Sequence, residues 1–249
     1  MLEPGERIDQ LYSQNIKIIQ SSDVFSFSLD AVLLADFAIL HQHSQIVDLC
    51  AGNGAVGLFL TQKTAGSISA IELQPRLADM ARRSVRLNHL ERQVNVFERD
   101  LATTFEVIPK DSVDVVTCNP PYFSHLPTSK KNPNPYLAIA RHELKTNLDS
   151  ILTITSGLLK MNGKAYFVYR PERFVELVTK AQQHRLIAKR IRLVHPMIQR
   201  EANMVLVEFI KDGKLGGQRF LPPLVVYDKD GNYSPEVHKL LYGETVTGD

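Results

Sequence analysis

Cysteine, long apolar runs and export signals are all scarce in this chain, and each scarcity closes a line of interpretation. Two cysteines, Cys50 and Cys118, occur in 249 residues, too few for a disulfide framework or a zinc site. Both fall at the ends of expected strands and read as packing thiols in a reducing cytosol rather than as nucleophiles. No apolar run approaches the ~18 residues that a membrane span needs. The longest candidate, Ala31 to Leu40, is broken by Asp36. The opening Met1-Leu-Glu-Pro-Gly-Glu-Arg7 has no signal-peptide character. No internal repeat is visible, and His125 and His142 lie in loop-like sequence without metal-ligand spacing. The expectation is a cytoplasmic monomer that uses no membrane and no metal.

What is present suits one α/β domain with extensions. The hydrophobic fraction of 44% is ample for a core. The boundaries are expected at 1–44 for an N-terminal cap segment, 45–210 for a catalytic core and 211–249 for a C-terminal extension. The net charge of +2 conceals an uneven distribution. Lys160 to Arg200 holds ten Lys and Arg against two Asp and Glu, a local +8, whereas residues 1–100 hold nine against twelve, −3. A confined basic stretch points to a polyanionic partner. A solvated helix face is its plainer explanation.

The chain is organised around Gln45 to Phe59. Ile46-Val-Asp-Leu49 reads as a short buried strand, Gly52-Asn-Gly54 as a tight turn, and Ala55 as a helix start. Such a corner lets backbone approach a ligand and offers it free N–H groups. Gly52-Asn-Gly-Ala-Val-Gly57 is literally G-x-G-x-x-G, the dinucleotide fingerprint. Asp48 argues against that ligand, because a carboxylate at the strand end would repel a pyrophosphate on the turn. It suits S-adenosylmethionine, which has no phosphate and carries a sulfonium and an ammonium. Asp48-x-x-x-Gly52-x-Gly54 resembles motif I of the class I methyltransferases.

Further elements follow in order. Asn15 to Gln20 alternates weakly, and Leu29 to Leu40 reads as a helix capped by Ser28. Ser67-Ile-Ser-Ala-Ile71 is a second strand ending in Glu72, and an acid there can accept both ribose hydroxyls. Pro75 opens a helix to Asn88 whose buried face is Leu77, Met80, Ala81, Ser84 and Val85, with Arg76, Arg82, Arg83 and Arg86 on its wet side. Gln93 to Phe97 is a third strand. Val113 to Cys118 is a fourth, and it runs into Asn119-Pro-Pro-Tyr122. Phe123 to Tyr136 has three prolines, two lysines and no periodicity, which suggests a substrate lid. Leu148 to Leu159 reads as a helix ended by Asn162-Gly163. A strand at Ala165–Tyr169, a helix from Pro171 to about His184, and strands at Ala188–Val194 and Met204–Ile210 complete the core. A strand at Leu224–Tyr227 and a helix from Ser234 end the chain.

Asn-Pro-Pro-Tyr after a strand, some seventy residues past motif I, resembles motif IV of methyltransferases that modify planar amines. The expected fold is therefore α/β, a Rossmann-like seven-stranded mostly parallel sheet with an antiparallel last strand, as in class I methyltransferases. Its first and fourth core strands would adjoin at the topological switch point. The whole chain resembles the bacterial valine-tRNA adenine-N6 methyltransferase family. The resemblance rests on motifs I and IV, on Phe27-Ser-Leu-Asp-Ala-Val-Leu-Leu34, and on Arg200-Glu-Ala-Asn-Met-Val-Leu-Val-Glu208. Cys50 stands where a glycine or small residue is common.

The resemblance implies S-adenosylmethionine as cofactor, S-adenosylhomocysteine as product, and RNA, specifically tRNA near the anticodon, as partner. Asp30, Asp48, Ala51, Gly52, Asn53 and Gly54 would touch the cofactor, as would Glu72, Leu73, Asp100, Leu101 and Asn119. Asn119, Pro120 and Tyr122 would carry catalysis. The substrate would meet Phe123, Lys130 and Lys131 on the lid, and Lys189, Arg190 and Arg192 on the basic stretch. The alternative acceptor is a glutamine side chain (N5) of a release factor, since those enzymes share the four-letter motif. Other RNA or DNA amino-methyltransferases, an idle RNA-binding relic and a NAD-dependent oxidoreductase are weaker alternatives.

Overall fold

The computed structural model describes residues 2–21, 29–120 and 147–243. Ser28, Tyr122, Phe123, Lys130, Lys131 and the rest of the expected lid lie outside the described residues.

The N-terminal segment forms an antiparallel hairpin, β1 (Glu6–Leu11) and β2 (Ile16–Ser21), of which sequence alternation revealed only the second arm. Then come α1 (Leu29–Phe37), β3 (Ile46–Leu49), α2 (Ala55–Leu60), β4 (Ile68–Glu72), α3 (Pro75–Leu87) and β5 (Val94–Glu98). β6 (Val113–Cys118), α4 (Leu148–Leu158), β7 (Leu159–Tyr169) and α5 (Phe174–Gln183) follow. β8 (Leu186–His195), β9 (Met204–Lys211), β10 (Arg219–Phe220), β11 (Leu224–Val225) and α6 (Pro235–Tyr242) end the chain.

Seven strands form the body of the main sheet in the order β8-β9-β7-β6-β3-β4-β5, with β9 alone antiparallel to its neighbours. β10 and β11, two residues each, add to the outer edge of β8 in parallel and bring the total to nine. Pro222 and Pro223 between them lack the N–H that a longer ladder needs, which is why this part of the extension carries so little strand signal.

Two apolar layers sandwich the sheet. On one face Val47, Leu49, Val116 and Phe167 pack against Leu148, Ile151, Leu152 and Leu177 of α4 and α5. On the other, Ile46, Val115, Tyr166 and Val168 pack against α1 and α2. α1 is buried except at Leu29 and Asp36, because α2, β7 and α6 each contact it, and so it shows no amphipathic stripe.

Two expectations need correction. Helix α4 stops at Leu158, and Leu159 is already extended, so Asn162-Gly163 lies within β7. The register with β6 jumps there, from Val113–Leu159 to Val115–Lys164. Asn162 sits at φ 63°, and a Cβ on Gly163 would lie 2.8 Å from the Lys160 carbonyl oxygen, so this pair makes a kink rather than a helix stop. Arg83 is not on a wet face. The hairpin lies over it, and its guanidinium grips Glu6 through both nitrogens at 2.6 and 2.7 Å, with 10% and 0% side-chain exposure.

Candidate active site at the carboxyl edge of the sheet

All strands of the main sheet except β9 run the same way, so their carboxyl ends share one edge. β3 and β6 are neighbours there, with Leu49 opposite Cys118. That register sets the Cys50–Gly54 turn beside Asn119-Pro120. It is the switch point, since the chain leaves β3 toward β4 and β5 on one side and reaches β6, β7 and β9 on the other.

The turn is shaped by backbone chemistry. Cys50 takes a left-handed φ of 56°, a conformation costly for a side chain. Gly52 at φ 57° and Gly54 at φ 82° continue the turn. The Gly54 N–H donates to the Ala51 carbonyl at 2.9 Å, and Ala51 N–H to Ile71 at 3.0 Å. A Cβ on Gly54 would come 3.1 Å from that of Ala81, so glycine lets α3 pack against the turn. A Cβ on Gly52 would meet no atom of the described residues within 4 Å.

Three carboxylates surround the turn, each held differently. Asp48 is 1% exposed, and Thr117, its register partner on β6, donates to Oδ1 at 2.7 Å. Oδ2 turns toward the first turn of α2, near Gly57. Burial raises the Asp48 pKa to about 7, with the Thr117 hydroxyl and Gly57 N–H opposing the rise and the Glu72 charge adding to it. Glu72, at the end of β4, accepts from Gly52 N–H through Oε2 and from Gln74 N–H through Oε1, both at 2.8 Å. Burial pushes its pKa up too, against those backbone donors. Asp100 is exposed at the end of β5, caps a 3₁₀ turn by accepting from Ala102 N–H at 2.9 Å, and leads into buried Leu101. Leu73 is half-buried beside Glu72, and Asp30 is buried in the first turn of α1.

Several expected site residues do other work. The Asn53 side chain is 2% exposed and donates to the Ile19 carbonyl at 3.1 Å, tying the turn to β2 rather than reaching into the crevice. Lys189, Arg190 and Arg192 each have partners within the fold. Lys189 Nζ donates to the carbonyls of Lys214 and Gly216 at 2.5 and 2.6 Å. Arg190 pairs with buried Glu208 at 2.8 Å and covers the Phe37 ring at 4.5 Å. Arg192 reaches Glu236 at 2.7 Å and the Pro222 carbonyl at 3.0 Å. These three fasten the C-terminal extension and α1 to the sheet; a cation run in sequence does not reveal which carboxylates the fold will bring to it.

Thr117 was missed. Its only signal was a hydroxyl inside the apolar run Val113 to Cys118. Also missed was the end of β7, where Arg170 Nη1 donates to the Asn203 carbonyl at 2.9 Å. Cys118 is buried against Cys50, and both burial and that neighbour raise its pKa well above the ordinary thiol value. This fits packing thiols.

A family profile described as the methyltransferase small domain matches residues 15–172. Among curated proteins, the chain is 25% identical over 233 residues to the Porphyromonas gingivalis tRNA1(Val) (adenine(37)-N6)-methyltransferase, covering 90% of this chain and 89% of that protein. It is 28% identical over 161 residues to the Aliivibrio salmonicida protein of the same name, covering 63% of this chain and 66% of the relative. Among solved structures, a predicted O-methyltransferase from Agrobacterium tumefaciens superposes with a TM-score of 0.68 at 24% identity, over 86% of this chain and 96% of that one.

Proposed function

The chain belongs to the methyltransferase small domain family, and from that premise we propose that it transfers a methyl group from S-adenosylmethionine to the exocyclic N6 amine of an adenine in tRNA, beside the anticodon. The observation that carries the reading is the β3–β6 register, which sets the acid-rimmed glycine turn against Asn119-Pro120. Relatives named for adenine-N6 methylation of tRNA1(Val), aligned over most of the chain, support the acceptor.

The residues present fit the cofactor. Its sulfonium and ammonium are cations, and the carboxylates of Asp48, Glu72 and Asp100 come from the strands and strand ends that flank the turn. Glu72 holds the turn through Gly52 N–H, and its remaining lone pairs accept the ribose hydroxyls. Leu73 and Leu101 flank the adenine, and the Asp100 carboxylate accepts from its amine. Asp48 and Asp30 favour the charged methionine end. Bound there, the cofactor supplies a methyl group on a sulfonium that needs no further activation.

The protein's task is then to position a poor nucleophile. An aryl amine delocalises its lone pair into the ring. The Asn119 side-chain oxygen and the Pro120 carbonyl accept its two N–H groups, which favours a pyramidal nitrogen aimed at the methyl. Pro120 stiffens that turn. Tyr122 or Phe123 stacks on the base, and Lys130 and Lys131 approach phosphates; all four lie outside the described residues. The setting for this chemistry is a cytoplasmic monomer.

The test is radiolabelled methyl transfer to a tRNA transcript, run beside purified release factor and followed by nucleoside mass spectrometry. Label in N6-methyladenosine is expected. Asn119→Ala should lose at least about 100-fold in rate, far more than it loses in S-adenosylhomocysteine affinity, as when a positioning hydrogen bond is removed. Label in the protein and none in RNA would reassign the acceptor to glutamine and leave the fold standing.

A further inference from the structure

Lys189, Arg190 and Arg192 are engaged by partners within the fold, whereas the edge of the sheet that carries Asn119 presents a further exposed cation. β8 runs parallel to β6, and its carboxyl end at His195 therefore emerges on the same edge as Asn119. The two strands are separated by β7 and β9, about 14 Å at the usual strand spacing. The connection from β8 to β9, residues 196–203, projects from that edge.

This connection is exposed at its tip but tightly braced at its base. Arg200 N–H closes a turn on the Met197 carbonyl at 3.0 Å, and Asn203 N–H returns to Val194 at 3.0 Å. His195 Nδ1 lies 2.8 Å from the Arg200 carbonyl, and a carbonyl can only accept, so that nitrogen carries the proton. Tyr227 N–H, from the C-terminal extension, donates to the Pro196 carbonyl at 2.9 Å. Arg170 completes the brace from the end of β7 by donating to Asn203. Phe167 is the register partner of Cys118, so Arg170 follows the carboxyl end of the strand next to β6, and its hydrogen bond links that end to the projecting connection.

The tip displays Ile198, 67% exposed, with Gln199 and Arg200 also exposed. Among the described residues no carboxylate pairs with Arg200. Glu201 next to it is exposed as well, so the tip offers one cation at one place rather than a broad positive field. An aliphatic side chain, an amide and a lone guanidinium on a stiff loop suit a single-stranded nucleic acid, whose unstacked bases offer flat faces and edges and whose backbone offers a phosphate.

We propose that the 196–203 connection is a second RNA contact, in which Ile198 packs on a base flanking the modified adenine and Arg200 pairs with a loop phosphate. The proposal rests on the RNA reading above. It also assigns a job to Arg170, which positions the connection relative to the catalytic turn.

The experiment measures initial rates of methyl transfer to an anticodon stem-loop for the wild type, Arg200→Ala, Ile198→Ser and the double variant. KM for RNA should rise about three- to tenfold in each single variant while kcat and S-adenosylhomocysteine affinity hold, and Arg200→Ala should flatten the log–log salt slope by about one. Unchanged KM in the double variant overturns the contact. Hydrogen exchange of the wild-type protein with and without stem-loop gives a readout independent of variant folding: protection of 196–203 is expected, and its absence overturns the proposal. A wild type that methylates release factor but no RNA refutes the functional reading instead, and the rate assay separates that result from the others.

Discussion

Asp48 and Glu72 are two buried acids on neighbouring strands, and they differ in what satisfies them. Asp48 has one hydroxyl donor and a pKa near 7, so it is largely neutral in mildly acidic solution. A cationic ligand end favours its ionised form. Affinity for S-adenosylmethionine should therefore rise as pH increases through about 7 and then level off, with proton release on binding below that point. Titration calorimetry on either side of pH 7 checks this, and Asp48→Asn should abolish the dependence. The same shift acts on stability with the opposite slope: the unfolded chain loses this proton near its ordinary carboxylate value, so the contribution of Asp48 declines as pH rises from about 4 to 7. Glu72 instead takes two backbone N–H groups. Glu72→Ala should weaken cofactor binding by about 1–3 kcal/mol, because it removes the ribose acceptor and loosens Gly52 together. Equal affinity in calorimetry would take Glu72 out of the site.

At the scale of elements, the outer edge of the sheet depends on its cations. Arg190 neutralises Glu208, whose side chain is 4% exposed, while Arg192 and Lys189 hold the segment that becomes β10, β11 and α6. Arg190→Ala strands a buried carboxylate and should cost about 3–5 kcal/mol. Arg190→Met with Glu208→Leu should recover much of that loss, since a packed apolar pair avoids both desolvation costs. Thermal unfolding of the three proteins decides the matter; a silent Arg190→Ala would mean that Glu208 finds water instead. The N-terminal hairpin is tied down comparably, by the Arg83–Glu6 pair and by Asn53 donating to Ile19. It thereby braces the glycine turn from a part of the chain far away in sequence.

At the scale of the whole molecule, the crevice joins two halves of one sheet, so a ligand seated there ties both to the folded state. S-adenosylmethionine at about 100 times its Kd should add roughly 2.7 kcal/mol of stability. For a chain of this length that is a rise of about 5–10 °C in Tm. NAD at the same concentration should leave Tm unchanged, because its pyrophosphate would face Asp48 and Glu72. A comparable shift with NAD would overturn the cofactor assignment that Asp48 motivated.

Much of this was legible in the sequence because it depends on local order. Buried strands ending in Asp48-x-x-x-Gly52-x-Gly54 and in Asn119-Pro120 declare a parallel sheet with a crevice at its carboxyl edge, and alternation and helical periodicity set most element bounds. The sequence by itself determined the fold class and the family it resembles. Pairing across long separations was not legible, because nothing local to Arg190 names Glu208, nothing local to Asn53 names Ile19, and nothing local to Asp48 names Thr117. A charge or an amide reads as solvent-facing until the fold brings a partner within hydrogen-bond distance and removes the water. Only the tertiary structure decided that three cations of the basic stretch find partners within the fold, that the Asn53 side chain ties the turn to β2, and that Arg200 stands exposed on the same edge of the sheet as Asn119.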